Sequence, residues 1–374
     1  MKLYKSFLTI LSTLLIINCS VNNDQQLMKK AEELSQKFII TDGHIDLPWR
    51  LYKGGYEDVS VRTPGGDFDY VRAKQGGLDA PFMSIYVPAT YQVTGGAKDK
   101  ALELMGFVER VSTEHPNKFE IAYNISDVER IFSEGKIALP MGMENGAPLE
   151  GDLSNIEFFH KKGISYITLT HSEDNDICDS SYNLGERTHN GLSEFGVKVI
   201  KEMNRVGIMV DISHVSDEAF YQAMDVTEVP AIASHSSARH FTPGFERNMS
   251  DDMIKRLAEN GGVIQINFGT AFLTNINDKS KGYNPDTYIH AEVSDVVDHI
   301  DRVVELVGID YVGIGSDYDG VGDTLPNQLK DVSSYPNLIA ELQNRGYSTR
   351  DIQKILGENF ARVWREVEEY ARNN

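Results

Sequence analysis

The chain has 374 residues, with 36 Lys+Arg against 56 Asp+Glu, a formal charge of −20 at pH 7. So acidic a surface repels phosphate backbones and sets nucleic acid aside as a partner. Hydrophobic residues at 41% are ordinary for a globular protein, and the two cysteines, Cys19 and Cys178, exclude a disulfide scaffold or a cysteine-rich zinc module, so any metal must be held by His and carboxylates.

The first twenty residues read as an export signal. Lys2 and Lys5 precede a mainly apolar run of 11 residues, Phe7 to Ile17. A spanning helix needs about 20 such residues, so the run is a signal core rather than an anchor. It ends at Ile16-Ile17-Asn18-Cys19-Ser20, which resembles the lipobox of bacterial lipoproteins. Residues 1–18 are expected to be a signal peptide and 19–35 a lipidated tether and leading helix. Residues 36–374 are expected to form one catalytic barrel domain with C-terminal helices. The expected location is the periplasmic face of a bacterial membrane, with Cys19 as the lipid attachment site.

Eight short apolar, β-branched runs follow: Phe38–Thr41, Met83–Val87, Ile137–Met143, Ser165–Thr170, Ile208–Ile212, Ala231–Ala233, Val263–Asn267 and Tyr311–Gly315. Between them lie amphipathic stretches such as Asp99–Ser112, Glu194–Arg205, Asp251–Glu259 and Val293–Leu306. Strands alternating with helices predict an α/β fold with a parallel sheet, and eight strands suggest a (β/α)₈ TIM barrel. A doubly wound open sheet is the alternative. Pro336–Asn374 reads as further helices.

The ends of these strands carry the chemistry. Strand one ends in His44-Ile45-Asp46 and the third in Glu144. His171, His214, His235 and Asp317 follow the fourth, fifth, sixth and eighth. Four of the ten histidines thus sit where the active sites of (β/α)₈ enzymes are built. His44 and Asp46 share a side of an extended segment, so both can reach one metal. His214 and His235 could hold a second ion, with Glu144 bridging through its two oxygens. Imidazole and carboxylate suit Zn²⁺ or similar divalent ions. The sequence contains no G-x-S-x-G, H-E-x-x-H or P-loop pattern.

The motifs resemble the membrane (renal-type) dipeptidases, a family of zinc peptidases. Asp42-Gly43-His44-Ile45-Asp46-Leu47-Pro48-Trp49 is similar to that family's D-G-H-N-D-L-P-W, and Gly142-Met143-Glu144-Asn145-Gly146 to G-x-E-G-G. Phe82-Met83-Ser84-Ile85-Tyr86-Val87-Pro88, Thr168-Leu169-Thr170-His171, Val210-Asp211-Ile212-Ser213-His214 and Ala233-Ser234-His235-Ser236-Ser237-Ala238 fit it too, as does Gly313-Ile314-Gly315-Ser316-Asp317-Tyr318-Asp319-Gly320. The resemblance implies hydrolysis of dipeptides by a hydroxide bridging two Zn²⁺ ions on a barrel of the metal-dependent hydrolase type. His44 and Asp46 would bind one zinc, His214 and His235 the other, and Glu144 both. Asp317 would be catalytic and His171 both catalytic and substrate-binding. Arg247 would meet the substrate carboxylate, with Arg239 nearby in sequence. Ile45 and Asn145 depart from the family motifs at positions beside ligands. Dipeptides and a membrane surface are the expected partners, with a homodimer as a candidate assembly. Two other readings are a binuclear hydrolase of lactones, cyclic amides or phosphotriesters, and a non-catalytic binding lipoprotein.

Overall fold

The computed structural model describes residues 25–183 and 185–374. The expected export signal, the expected lipobox and Cys19 lie outside the described residues. Residues 26–35 belong to a helix whose Ala31 and Leu34 are buried against the body.

Among the described residues ten strands follow in chain order: β1 (Ile40–Ile45), β2 (Leu78–Tyr86), β3 (Phe119–Ile121), β4 (Ile137–Leu139), β5 (Met141–Glu144), β6 (Ile164–Thr168), β7 (Met209–Asp211), β8 (Ile232–Ser236), β9 (Val263–Ile266) and β10 (Val312–Ile314). Eight close a barrel in the order β1-β10-β9-β8-β7-β6-β5-β2, and each neighbouring pair is parallel. The fold is a (β/α)₈ barrel, and its strands are buried on both faces, as the continuous apolar runs require.

One expected strand is two. The run Ile137–Met143 breaks at Pro140, which has no N–H for a ladder. Its first half pairs with β3 in a small parallel sheet, and its second half joins the barrel. β2 begins at Leu78, five residues before the expected run, because Asp79 and Pro81 interrupt the apolar pattern.

The expected helices form almost as read: Ala97–Glu114, Glu194–Val206, Asp251–Glu259 and Val293–Val307. Ser193 and Ser250 cap two of them by accepting backbone N–H groups of Gly196 and Met253. The tail folds as Tyr335–Asn344, Thr349–Gln353 and Asn359–Asn373. The last helix closes the bottom of the barrel. Phe360 and Trp364 pack on Phe82 with ring centroids 4.9 and 5.2 Å away. Fully burying side chains of this kind contributes on the order of 2–3 kcal/mol each. Phe82 in turn stacks on Tyr166 at 5.4 Å. An aromatic column therefore runs from the plug up towards the opposite mouth.

Candidate metal centre

That mouth gathers the residues expected there. Glu144 is the last residue of β5, and His235 lies within β8. His171, His214 and Asp317 each follow a strand by three residues. β1 ends at Ile45, and Asp46 has already left it, with φ −88° and ψ 28°, to cap the helix Leu47–Gly54. The i, i+2 spacing still delivers both side chains to one place, with His44 Nε2 3.5 Å from Asp46 Oδ2. His214 (φ 70°) and Asp317 (φ 66°) take the left-handed conformation. That costs roughly 1–2 kcal/mol in a residue with a Cβ, a strain that packed functional sites sustain.

Glu144 is the hub. Its Oε1 lies 3.1 Å from His214 Nε2, 3.4 Å from His235 Nε2 and 3.5 Å from His171 Nε2. Its Oε2 lies 3.5 Å from His44 Nε2 and accepts from Ser84 Oγ at 3.3 Å. The Nε2 atoms of His214 and His235 are 2.9 Å apart. A tetrahedral ion with bonds of about 2.0–2.1 Å sets its ligand atoms about 3.3 Å apart, so these separations match a coordination shell. Asp317 joins His44 and Asp46 with ligand atoms within 4.8 Å of one another, and Asn267 Nδ2 donates to its Oδ2 at 2.8 Å.

The donor set passes a second test. His44 Nε2 and Asp46 Oδ1 are buried without a hydrogen-bond partner. Buried polar atoms are rarely left unpaired, so the cluster is built for something further. Burial, helped by neighbouring positive groups, drives His214 and His235 well below the ordinary histidine range and keeps both neutral, the form that binds metal. Burial opposes charge on His44 too, but Tyr166, Glu144 and Asp46 outweigh it and hold His44 well above that range. Burial likewise opposes charge on Glu144, which His44 and His171 nevertheless hold well below the carboxylate range. Asp317 is pushed up to about 8, chiefly by burial and then by the carboxylates of Asp46 and Glu144. Three buried acidic side chains gathered around His44, with a histidine pair beside them, form a site that cations complete.

Residues 28–374 match the family model described as membrane dipeptidase, peptidase family M19. The chain belongs to this family. It is a metal-dependent dipeptidase. Dipeptidase tcpJ of Claviceps purpurea is 37% identical over 344 residues, covering 88% of this chain and 77% of that protein. Dipeptidase 3 of Mus musculus is 33% identical over 354 residues, covering 93% and 68%. Among solved structures, the probable dipeptidase PvdM from Pseudomonas aeruginosa superposes with a TM-score of 0.84 at 29% identity, covering 93% of this chain and all of that one. A metallopeptidase from Rhodobacter sphaeroides, liganded with a phosphinate mimic of the dipeptide L-Ala-D-Ala, does so at 0.78 and 25% identity, covering 88% and 99%.

The dipeptidase site opens into a cavity of about 310 Å³ whose aromatic walls are Trp49, Tyr86, Tyr182 and Phe272. Sequence reasoning did not assign these walls, although Trp49 and Tyr86 lie inside motifs it used. Gly320 closes one side. A Cβ there would stand 2.2 Å from both Asp317 Oδ1 and Asp46 Oδ2, so only glycine lets the two carboxylates approach.

Arg247 is 3% exposed and, among the described residues, has no carboxylate within 4.0 Å. It donates to Ser236 Oγ at 2.7 Å and to the His235 carbonyl at 2.8 Å, and its Nε–H is buried without a hydrogen-bond partner. The surface salt bridge that would be its ordinary role is absent. Arg239 fills that role instead, gripping Asp217 at 2.7 and 2.5 Å. Cys178 is buried and free, and burial pushes its thiol well up, so it is unreactive.

Proposed function

We propose that this dipeptidase holds two zinc ions, one between His44 and Asp46 and one between His214 and His235, with one Glu144 oxygen facing each. The observation that carries the reading is the split of Glu144, Oε1 toward His214 and His235 and Oε2 toward His44. Two such ions, when bound, polarise a peptide carbonyl and lower the pKa of a water toward 7.

The protein's own groups supply the rest. Asp317, steadied by Asn267, takes a proton from the attacking water and passes it to the leaving amine. His171 stands at the cavity wall beside Glu144 and donates to the oxygen that gains charge. Arg247 offers its unused N–H groups to a free carboxylate. A buried guanidinium without a counter-charge is costly, and an anionic substrate end removes that cost. A cavity of this size, with the Arg247 guanidinium 5.3 Å from the ring of its Phe272 wall, suits a dipeptide.

We place the enzyme outside the cytoplasm, on the periplasmic face of a bacterial membrane, anchored through lipid on Cys19. The short apolar run ending in Ile17-Asn18-Cys19 supports this. Labelled palmitate should mark the wild type and spare Cys19→Ala, and equal labelling of both would refute the anchor. For the activity, a panel of dipeptides should release amino acids, and a chelator should abolish the release. Hydrolysis that persists after metal removal would sink the two-zinc reading.

A further inference from the structure

We propose that Tyr166 and Ser234 are positioning residues, each fixing the tautomer that turns the Nε2 lone pair of one metal-binding imidazole toward the ion. The inference rests on the assignment of His44 and His235 as ligands and adds a role to two residues that touch neither substrate nor metal.

Proton counting carries it. The Tyr166 hydroxyl lies 2.9 Å from the Gly43 carbonyl and 3.0 Å from His44 Nδ1. A carbonyl can only accept, so the proton between these two oxygens is the phenol's own. The phenol oxygen is then left to accept, and His44 Nδ1 must carry the hydrogen. Nε2 consequently presents a lone pair, and it is this buried atom that has no protein partner. On the other side of the barrel, Ser234 Oγ lies 2.6 Å from Asp211 Oδ2 and 2.7 Å from His235 Nδ1. Asp211 already accepts from Thr168 Oγ1 at 2.5 Å and from the backbone N–H groups of Ser213 and Ser234 at 3.1 and 2.9 Å. So surrounded by donors, it is an acceptor toward Ser234 as well, and His235 Nδ1 must donate to the serine oxygen. Two unrelated strands thus solve one problem in the same way, with a neutral hydroxyl whose proton is committed elsewhere.

The placement is rigid. Tyr166 is fully buried on β6, and its ring fills the space over Gly142, where an added Cβ would stand 1.9 Å from the ring carbon that bears the hydroxyl. Phe82 stacks on it from below. The aromatic column from the C-terminal plug therefore sets the height at which His44 meets its ion. Outer groups that orient metal-binding imidazoles typically change metal affinity by roughly 10–100-fold.

The test uses the full chain, zinc and a competing chelator, with Tyr166→Phe and Ser234→Ala. In each variant one zinc equivalent should bind roughly 10–100-fold more weakly while the other stays close to wild type. The thermal midpoint of the metal-free protein should hold in both. Loading with cobalt(II) adds a signature, because each bound imidazole contributes a hyperfine-shifted, exchangeable N–H resonance. Tyr166→Phe should speed the exchange of one such resonance and Ser234→Ala of a different one. Unchanged affinities and unchanged exchange in both variants would overturn the proposal, as would equal weakening of both equivalents together with a lowered metal-free midpoint. Should Tyr166→Phe fail to fold, Ser234→Ala decides the same point on the second imidazole. A wild-type chain that takes up no zinc would overturn the metal reading itself, a result distinct from zinc binding that the variants leave untouched.

Discussion

The Nε2 atoms of His214 and His235 face each other across 2.9 Å, with Glu144 Oε1 within 3.4 Å of both. Two neutral imidazoles approach in this way when they share a proton or when both turn lone pairs to a cation. With its Nδ1 hydrogen directed to Ser234, His235 turns an Nε2 lone pair into this gap, as a metal-binding imidazole must. The geometry is that of a coordination shell.

Glu144→Gln tests the hub. A neutral amide keeps the size and one acceptor but cannot balance two cations, so both zinc equivalents should weaken. Elemental analysis after reconstitution should fall well below the wild-type value of about two equivalents, the number four further ligands at two sites require. Retention of both ions at wild-type affinity would remove Glu144 from the bridging position.

Asp317→Asn separates chemistry from metal retention. The hydrogen bond from Asn267 can persist, but the amide cannot accept a proton. Loss of general acid–base work typically costs roughly 10²–10⁴-fold in rate. We expect kcat to fall within that range with near-normal metal content, whereas His235→Ala should lose metal and activity together. Because Asp317 lies within ligand distance of His44 and Asp46, loss of one ion in Asp317→Asn would instead identify it as a ligand.

Arg247→Lys should leave the fold and the metals in place while raising KM for dipeptides by roughly 10–100-fold, the value of a charge-assisted hydrogen bond of about 1.5–3 kcal/mol. A dipeptide amide, which lacks the carboxylate, should be a poor substrate for wild type and no poorer for the variant. Equal losses on both substrates would mean that Arg247 serves only its contacts with Ser236 and His235.

Much of this site could be read from the sequence because a parallel barrel orders its strands as the chain does. Residues spread from His44 to Asp317 share a mouth only because each lies at or just past the C-terminal end of a strand, and strand ends are marked by the passage from β-branched runs to polar residues. What remained hidden lay inside the strands. Tyr166 looks like any aromatic in a β run, and its hydroxyl acquires meaning only when Gly43 and His44 arrive from β1. Arg247 and Arg239 are equivalent in sequence, and the ion pair with Asp217 alone tells them apart. β4 and β5 merge in the pattern because Pro140 is a single interruption in an otherwise apolar run, and the first half of β2 was masked by buried Asp79.

Asp79 also sets a pH dependence. Burial raises its carboxyl to about 7, while the Ile40 N–H donates to it at 3.2 Å. Its folded pKa exceeds the unfolded value near 3.9, so the folded state holds a proton between about pH 4 and 7 that the unfolded chain releases. The stability this supplies is complete below about pH 4 and is lost as pH rises through 7. Asp79→Asn keeps an acceptor for Ile40 without the charge. It should match wild type near pH 4 and exceed it by on the order of 4 kcal/mol at pH 8 in denaturant unfolding. A difference that does not change with pH would contradict the assignment.

The central claim is a dipeptidase whose activity depends on two ions held around Glu144. Adding zinc in steps to the metal-free protein, and recording amino-acid release from a dipeptide at each step, tests it most directly. Release should be absent without metal and should rise to a plateau at two equivalents per chain. A plateau at one equivalent, or release from the metal-free chain, would contradict it.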